Sequence, residues 1–156
     1  MLGIFELTKF AAFVRIVDMP TLTRWFIKTS FIYLALALIA GLLLAVQAVF
    51  NVTLLYGLFP VYIHLLVFGW LTQLVFGVVF WMFPKYSTEK ARGSETLGWW
   101  TYILLNVGLL LRVVAEPVQS MNPNPVTGWM LVVSAVIQFF AGLTFVANSW
   151  KRVRVK

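Results

Sequence analysis

The 156-residue chain contains no cysteine. That excludes disulfides, thiolate nucleophiles, iron–sulfur clusters, cysteine zinc sites and the cysteine-pair chemistry of membrane thiol oxidoreductases. Histidine occurs once and acidic residues only five times. One imidazole cannot build a four-histidine cytochrome b bundle. The few carboxylates form no recognisable hydrolase or transferase constellation. Charge is scarce throughout: 11% of residues are charged, 62% are hydrophobic, and the mean hydropathy is +0.92. Soluble domains are about half apolar and about a quarter charged, so a soluble globule and a disordered chain are both excluded.

Long uncharged runs fill the space. No Asp, Glu, Lys or Arg interrupts the 56 residues between Lys28 and Lys85, or the 34 between Glu116 and Lys151. A helical span of a bilayer needs about 20 apolar residues. The expected fold is an all-α integral membrane protein, a four-transmembrane-helix bundle with spans at 31–50, 60–83, 97–116 and 128–150. Pro60 suits the first turn of a helix, where its missing N–H costs nothing. Pro117 is expected to end the third span. Asn122-Pro123-Asn124-Pro125 is a turn signal before the fourth. Residues 1–24 form an N-terminal arm whose stretch from Ile4 to Val17 reads either as an amphipathic interfacial helix or as a flexible arm. Residues 25–150 hold the bundle, and 151–156 form a basic tail. The first 30 residues lack the short apolar core and small-residue cleavage site of a signal peptide.

The net charge of +7 is explained by topology rather than by nucleic acid. Lys9, Arg15, Arg24 and Lys28 precede the first span, Lys85, Lys90 and Arg92 follow the second, and Lys151, Arg152, Arg154 and Lys156 follow the fourth. The loops 51–59 and 118–127 carry no cation. Eleven of the twelve basic residues therefore share one side, and the positive-inside rule makes that side, with both termini, cytoplasmic.

Small and amide residues recur every four positions: Ala37, Gly41 and Ala45; Gly69, Gln73 and Gly77; Ser134, Gln138 and Gly142. Such stripes let helix backbones approach one another, and Gln73 is placed to meet Gln138 near mid-membrane. Three ionisable groups fall inside spans, where they are costly and face the bundle interior or water. His64 lies four residues past Pro60 and Arg112 four residues before Glu116, each about 6 Å from the outer end of its helix at 1.5 Å per residue. Arg112 and Glu116 share a helical face and can pair. Two readings stay open: His64 and Arg112 as polar interfacial residues, or His64 as a haem or metal ligand with Arg112 beside a propionate. Phe59, Tyr62, Phe68, Trp70 and Tyr102 are expected near this level, while Trp99 and Trp100 fit an interfacial belt.

The second span, His64-Leu-Leu-Val-Phe-Gly-Trp-Leu-Thr-Gln-Leu-Val-Phe-Gly-Val-Val-Phe-Trp-Met-Phe-Pro84, resembles the second transmembrane helix of subunit I in the haem–copper oxidase superfamily, especially its nitric oxide reductase branch. There, a histidine near the outer end ligates the low-spin haem, and glycine, an aromatic pair and proline follow. The matching positions here are His64, Gly77, Phe80, Trp81 and Pro84. A wider likeness covers residues 60–118, through Trp81-Met-Phe-Pro-Lys85, Arg92-Gly93, Gly98-Trp99 and Leu104-Leu-Asn-Val-Gly-Leu-Leu-Leu-Arg112 to Glu116-Pro117. It is similar to short four-helix bacterial membrane proteins of the subunit I-like type and to the NnrS family of haem- and copper-containing proteins. The resemblance implies a bacterial inner (cytoplasmic) membrane protein that binds haem or transfers electrons, with His64 as iron ligand and cofactor-binding roles for His64 and Arg112.

A single histidine cannot supply the copper ligands and second haem of a full subunit I, so no dinuclear centre is expected. Nor is catalysis by this chain alone. A second axial ligand would come from another copy, a partner, or Met121 or Met130. The alternative is a cofactor-free accessory or assembly subunit of a respiratory or other energy-transducing complex. The expected partners are the lipid bilayer and either further copies of the chain or a larger respiratory complex. A small transporter is disfavoured because only amides lie near the midplane.

Overall fold

The structure is a computed structural model, described here for residues 19–50, 57–83 and 93–153. The proposed interfacial helix from Ile4 to Val17, the cationic loop with Lys85, Lys90 and Arg92, Pro84, and residues 154–156 lie outside the described residues. Four helices account for nearly everything described: α1 (Thr21–Phe50), α2 (Leu58–Met82), α3 (Glu95–Met121) and α4 (Pro125–Ser149), followed by a short 3₁₀ turn (Trp150–Arg152). All four are long and apolar enough to cross a membrane, and no strand occurs among the described residues. Their outward faces carry Ile32, Leu42, Val49, Leu110, Val132 and Phe139, all well exposed. That exterior suits hydrocarbon and would be unfavourable in water.

The helices extend further than the apolar runs alone suggest. α1 starts ten residues before the expected span, immediately after Pro20, and Arg24 N–H closes the first turn on the Pro20 carbonyl at 3.1 Å. Residues 21–24 thus belong to the bundle rather than to an arm, because Leu22, Thr23 and Phe26 are buried beneath α2 and α3. α3 does not stop at Glu116. It passes through Pro117 to Met121. The proline removes one N–H, yet the chain before it, Ala115 and Glu116, is buried and held by packing. Ser94 caps α3 by accepting the Leu97 N–H, and Asn124 caps α4 by accepting the Thr127 N–H at 3.0 Å, with Pro125 in the first turn. Gln119 accepts from the Thr127 hydroxyl and from the Asn124 N–H, tying the α3–α4 turn shut.

α2 and α3 each touch the other three helices, whereas α1 packs mainly along α2 and α4 mainly along α3. The α1–α2 seam follows a strict four-residue stripe: Val61, Leu65, Gly69, Gln73 and Gly77 are all buried. In an α-helix of 3.6 residues per turn, each step of four residues overshoots by about 40°. Winding Leu65–Thr72 as a π-helix, with more residues per turn, offsets that drift and keeps the stripe on α1. A Cβ on Gly69 would lie 2.8 Å from Tyr33, and one on Gly77 would lie 2.7 Å from Phe26. The other expected stripes are shorter. On α1, Ala37 is buried but Ala45 faces outward. On α4, Ser134 and Gln138 are buried, while a Cβ at Gly142 would meet nothing within 4 Å.

Bonds between side chains link the layers. Tyr33 donates to Asn106 at 2.9 Å, and the Thr29 and Tyr102 hydroxyls meet at 2.8 Å, joining α1 to α3. Phe76 of α2 stacks on Phe145 of α4 at 3.7 Å. Gln73 does not bond to Gln138: both amide atoms of Gln73 are buried without a hydrogen-bond partner among the described residues, and Gln138 reaches Ser134 on its own helix instead. Arg152, which the sequence places in the basic tail, is 1% exposed. Its guanidinium donates to the Phe80 and Phe83 carbonyls at 3.2 and 2.7 Å and lies against both rings, closing the C-terminal end of α2.

The two kinds of glycine give a direct contrast. Gly77→Ala should lower stability in a denaturant titration by about 1–3 kcal/mol, the usual cost of overpacking. Gly142→Ala should be neutral or slightly stabilising, since glycine is a poorer helix former than alanine.

Candidate functional site

The site grows from three turns of helix. On α2, Pro60 opens the helix and its carbonyl, four residues before His64, accepts from the imidazole Nδ1 at 2.8 Å. On α3, Arg112 and Glu116 sit one turn apart and bond through Nη1 and Oε1 at 3.2 Å. On α4, Ser134 is fully buried where α4 crosses Gly108. The crossing is close because Gly108 has no side chain: a Cβ there would lie 2.7 Å from Gln138 and 3.2 Å from the Ser134 carbonyl.

These turns converge at the end of the bundle where α2 and α4 begin. His64 Nδ1 lies 3.1 Å from Glu116 Oε1, and Nε2 lies 3.2 Å from Arg112 Nη1. Arg112 Nε donates to Ser134 Oγ at 3.3 Å, and Ser134 in turn donates to the Gly108 carbonyl at 2.8 Å. The donor pattern fixes the tautomer. A guanidinium has only donors, so Nε2 accepts, while Nδ1 faces two acceptors and carries the hydrogen. His64 is therefore the Nδ1–H form, held between a backbone carbonyl and a carboxylate. Phe68, one turn on, stacks against the ring at 5.7 Å between centroids.

The three ionisable side chains are largely withdrawn from the surface, with His64 20%, Arg112 19% and Glu116 7% exposed. The Glu116 charge is matched by Arg112, yet its second oxygen, Oε2, is buried with no hydrogen-bond partner among the described residues. A carboxylate there is stable only while its cation stays.

Both sequence-predicted site residues, His64 and Arg112, thus lie together, and at matched depth. Their surroundings differ from expectation. Among the described residues only Phe68 contacts the imidazole as a ring pair, whereas Tyr102, expected near His64, packs with Phe26 and Trp99 at the opposite end. Met121 is half exposed at the close of α3. Glu116 proves as close to His64 as Arg112 is, and Ser134 anchors the guanidinium from a third helix. Ser134 was visible in the sequence only as one of a small-residue stripe.

For iron ligation the arrangement meets one requirement and fails another. A ligating imidazole commonly has its far N–H held by a carboxylate or carbonyl, and Pro60 and Glu116 do that. However, the lone pair of Nε2, the atom that would face iron, is taken by the Arg112 cation. No group of three His, Cys, Asp or Glu residues suited to a metal occurs among the described residues. With Arg112 in this position, Nε2 offers an iron no free lone pair. Comparison with known protein families, with curated proteins and with solved structures finds no match to this chain.

Arg112→Leu should cost about 3–5 kcal/mol, because it strands the Glu116 carboxylate in the bundle. Denaturant unfolding of the purified variant in a membrane mimetic measures this. A loss under about 1 kcal/mol would mean that the cluster is solvated.

Proposed function

We propose that the chain is a multi-pass protein of the bacterial inner membrane, with both termini cytoplasmic, that serves as a cofactor-free accessory or assembly subunit of a larger energy-transducing complex. The observation that carries this reading is the commitment of both ring nitrogens of the sole histidine to partners within the bundle. In it, His64, Arg112 and Glu116 are a lock between α2 and α3. The orientation follows from the cations, which gather at the end where α1 and α3 start. A respiratory setting is supported by the resemblance of the second span to haem–copper oxidase subunit I.

Haem binding or electron transfer is the second reading, and the tautomer favours it. With Nδ1–H held by Pro60 and Glu116, Nε2 is the nitrogen with a free electron pair once Arg112 swings aside. In that reading His64 is the axial ligand and Arg112 turns to a propionate. A bound haem would supply one-electron transfer; the chain's own part would be to hold Nδ1–H and exclude water.

The deciding experiment is purification from haem-replete cells with a reduced-minus-oxidised absorption spectrum. The accessory reading expects folded protein without a haem band, copurifying with a larger complex, and a His64→Ala variant that still assembles. A haem band lost in His64→Ala would overturn it in favour of the second reading. Recovery only as a free oligomer would contradict any subunit role.

A further inference from the structure

A different feature lies at the opposite end of the bundle. The first turns of α1 carry a cleft of about 400 Å³ lined by Thr21, Arg24, Trp25, Lys28, Thr29 and Ile32. That volume falls within the range of about 300–1,000 Å³ typical of small-molecule sites. Among the described residues that line it, the two charged ones are both cations, one helical turn apart, and both are exposed. Thr29 is fixed by its bond to the Tyr102 hydroxyl, and the Trp25 ring meets Tyr102 edge-on at 6.4 Å, so one wall is rigid.

Below the cations the surface changes character. Ile32, Leu36, Ile39 and Leu43 continue the face of Lys28 along α1 at helical spacing, and all four are exposed large apolar side chains. The order along one helix face is therefore cation, cation, then a hydrocarbon track several turns long. Half-exposed Trp25 stands at the junction, the level where aromatic residues sit in a membrane interface. This polarity is that of an amphiphile with an anionic head. A free phosphate would use the cations but not the track.

We propose that this cleft binds an anionic glycerophospholipid, with Arg24 and Lys28 on the phosphate oxygens and an acyl chain along Ile32, Leu36 and Ile39. Guanidinium and ammonium groups together suit a phosphodiester, the first by directed donors and the second as a point charge. The site is independent of His64 and of the proposed role in a complex.

The test is native mass spectrometry of the full chain in mild detergent with added phosphatidylglycerol, phosphatidylcholine or inorganic phosphate. Wild type should retain phosphatidylglycerol over phosphatidylcholine, and inorganic phosphate should not displace it. The double variant R24Q/K28Q should bind phosphatidylglycerol about 25-fold more weakly, each cation beside an anionic surface contributing about fivefold. Equal retention of the two lipids, or unchanged binding by the double variant, would overturn the proposal. Displacement by inorganic phosphate alone would make it a phosphate site and overturn the lipid assignment. Should the double variant fail to fold, raising salt on wild type must weaken phosphatidylglycerol retention, and salt-independent retention would overturn the proposal.

Discussion

A carboxylate held in the interior of a membrane-spanning bundle needs a positive partner at contact distance. Glu116 is 7% exposed, and its charge is met by Arg112 one turn away. That requirement dictates much of what surrounds it. Arg112 must stay in the bundle rather than extend to the interface, so it takes a further anchor in Ser134 and gives a hydrogen to His64 Nε2. Ser134 can reach it only because Gly108 lets α4 approach α3. His64 can accept from the guanidinium only in its Nδ1–H form, which Pro60 and Glu116 hold. One carboxylate thus joins α2, α3 and α4.

The same economy governs the seam between α1 and α2. Gly69 and Gly77 remove side chains where Tyr33 and Phe26 must fit, and π-winding from Leu65 keeps the glycine stripe aligned. The widened turns begin directly after His64, which lies between the buried seam residues Val61 and Leu65. At the other end, Arg152 satisfies the last carbonyls of α2, and Asn148 of α4 accepts the Ser94 N–H before α3. Ion-cluster bonds therefore close one end of the bundle and backbone caps the other.

Three of the four spans were legible because uncharged runs of that length leave few alternatives, and the third from the apolar stretch between Glu95 and Arg112. The pairing of Arg112 with Glu116, and their depth beside His64, followed from helical spacing. What spacing could not supply was rotation about the helix axes. It set Gln73 against α1 rather than against Gln138, and brought the Glu116 carboxylate to the imidazole as well as to the guanidinium. Helix ends were the weakest part of the reading. Pro117 suggested a stop, but burial of Ala115 and Glu116 outweighs one lost hydrogen bond. Arg152 looked like a tail cation because hydropathy counts its charge and does not register two backbone carbonyls awaiting a donor. Gly142 had the right spacing but no helix opposite it.

The resulting picture is a bundle with an apolar exterior, a buried ion cluster at one end, and Arg24, Lys28 and Arg152 at the other. Whether that cluster serves as a lock or gives up its imidazole to iron depends on how firmly Arg112, Glu116 and His64 are coupled. The most direct measurement is a double-mutant cycle between His64 and Glu116, using His64→Ala, Glu116→Gln and their combination in reversible unfolding in a membrane mimetic. Residues bonded in one network couple by about 0.5–3 kcal/mol, and a value in that range is expected here. Additive effects would mean that the two side chains are independent, and would contradict the buried cluster as the constraint that joins the helices.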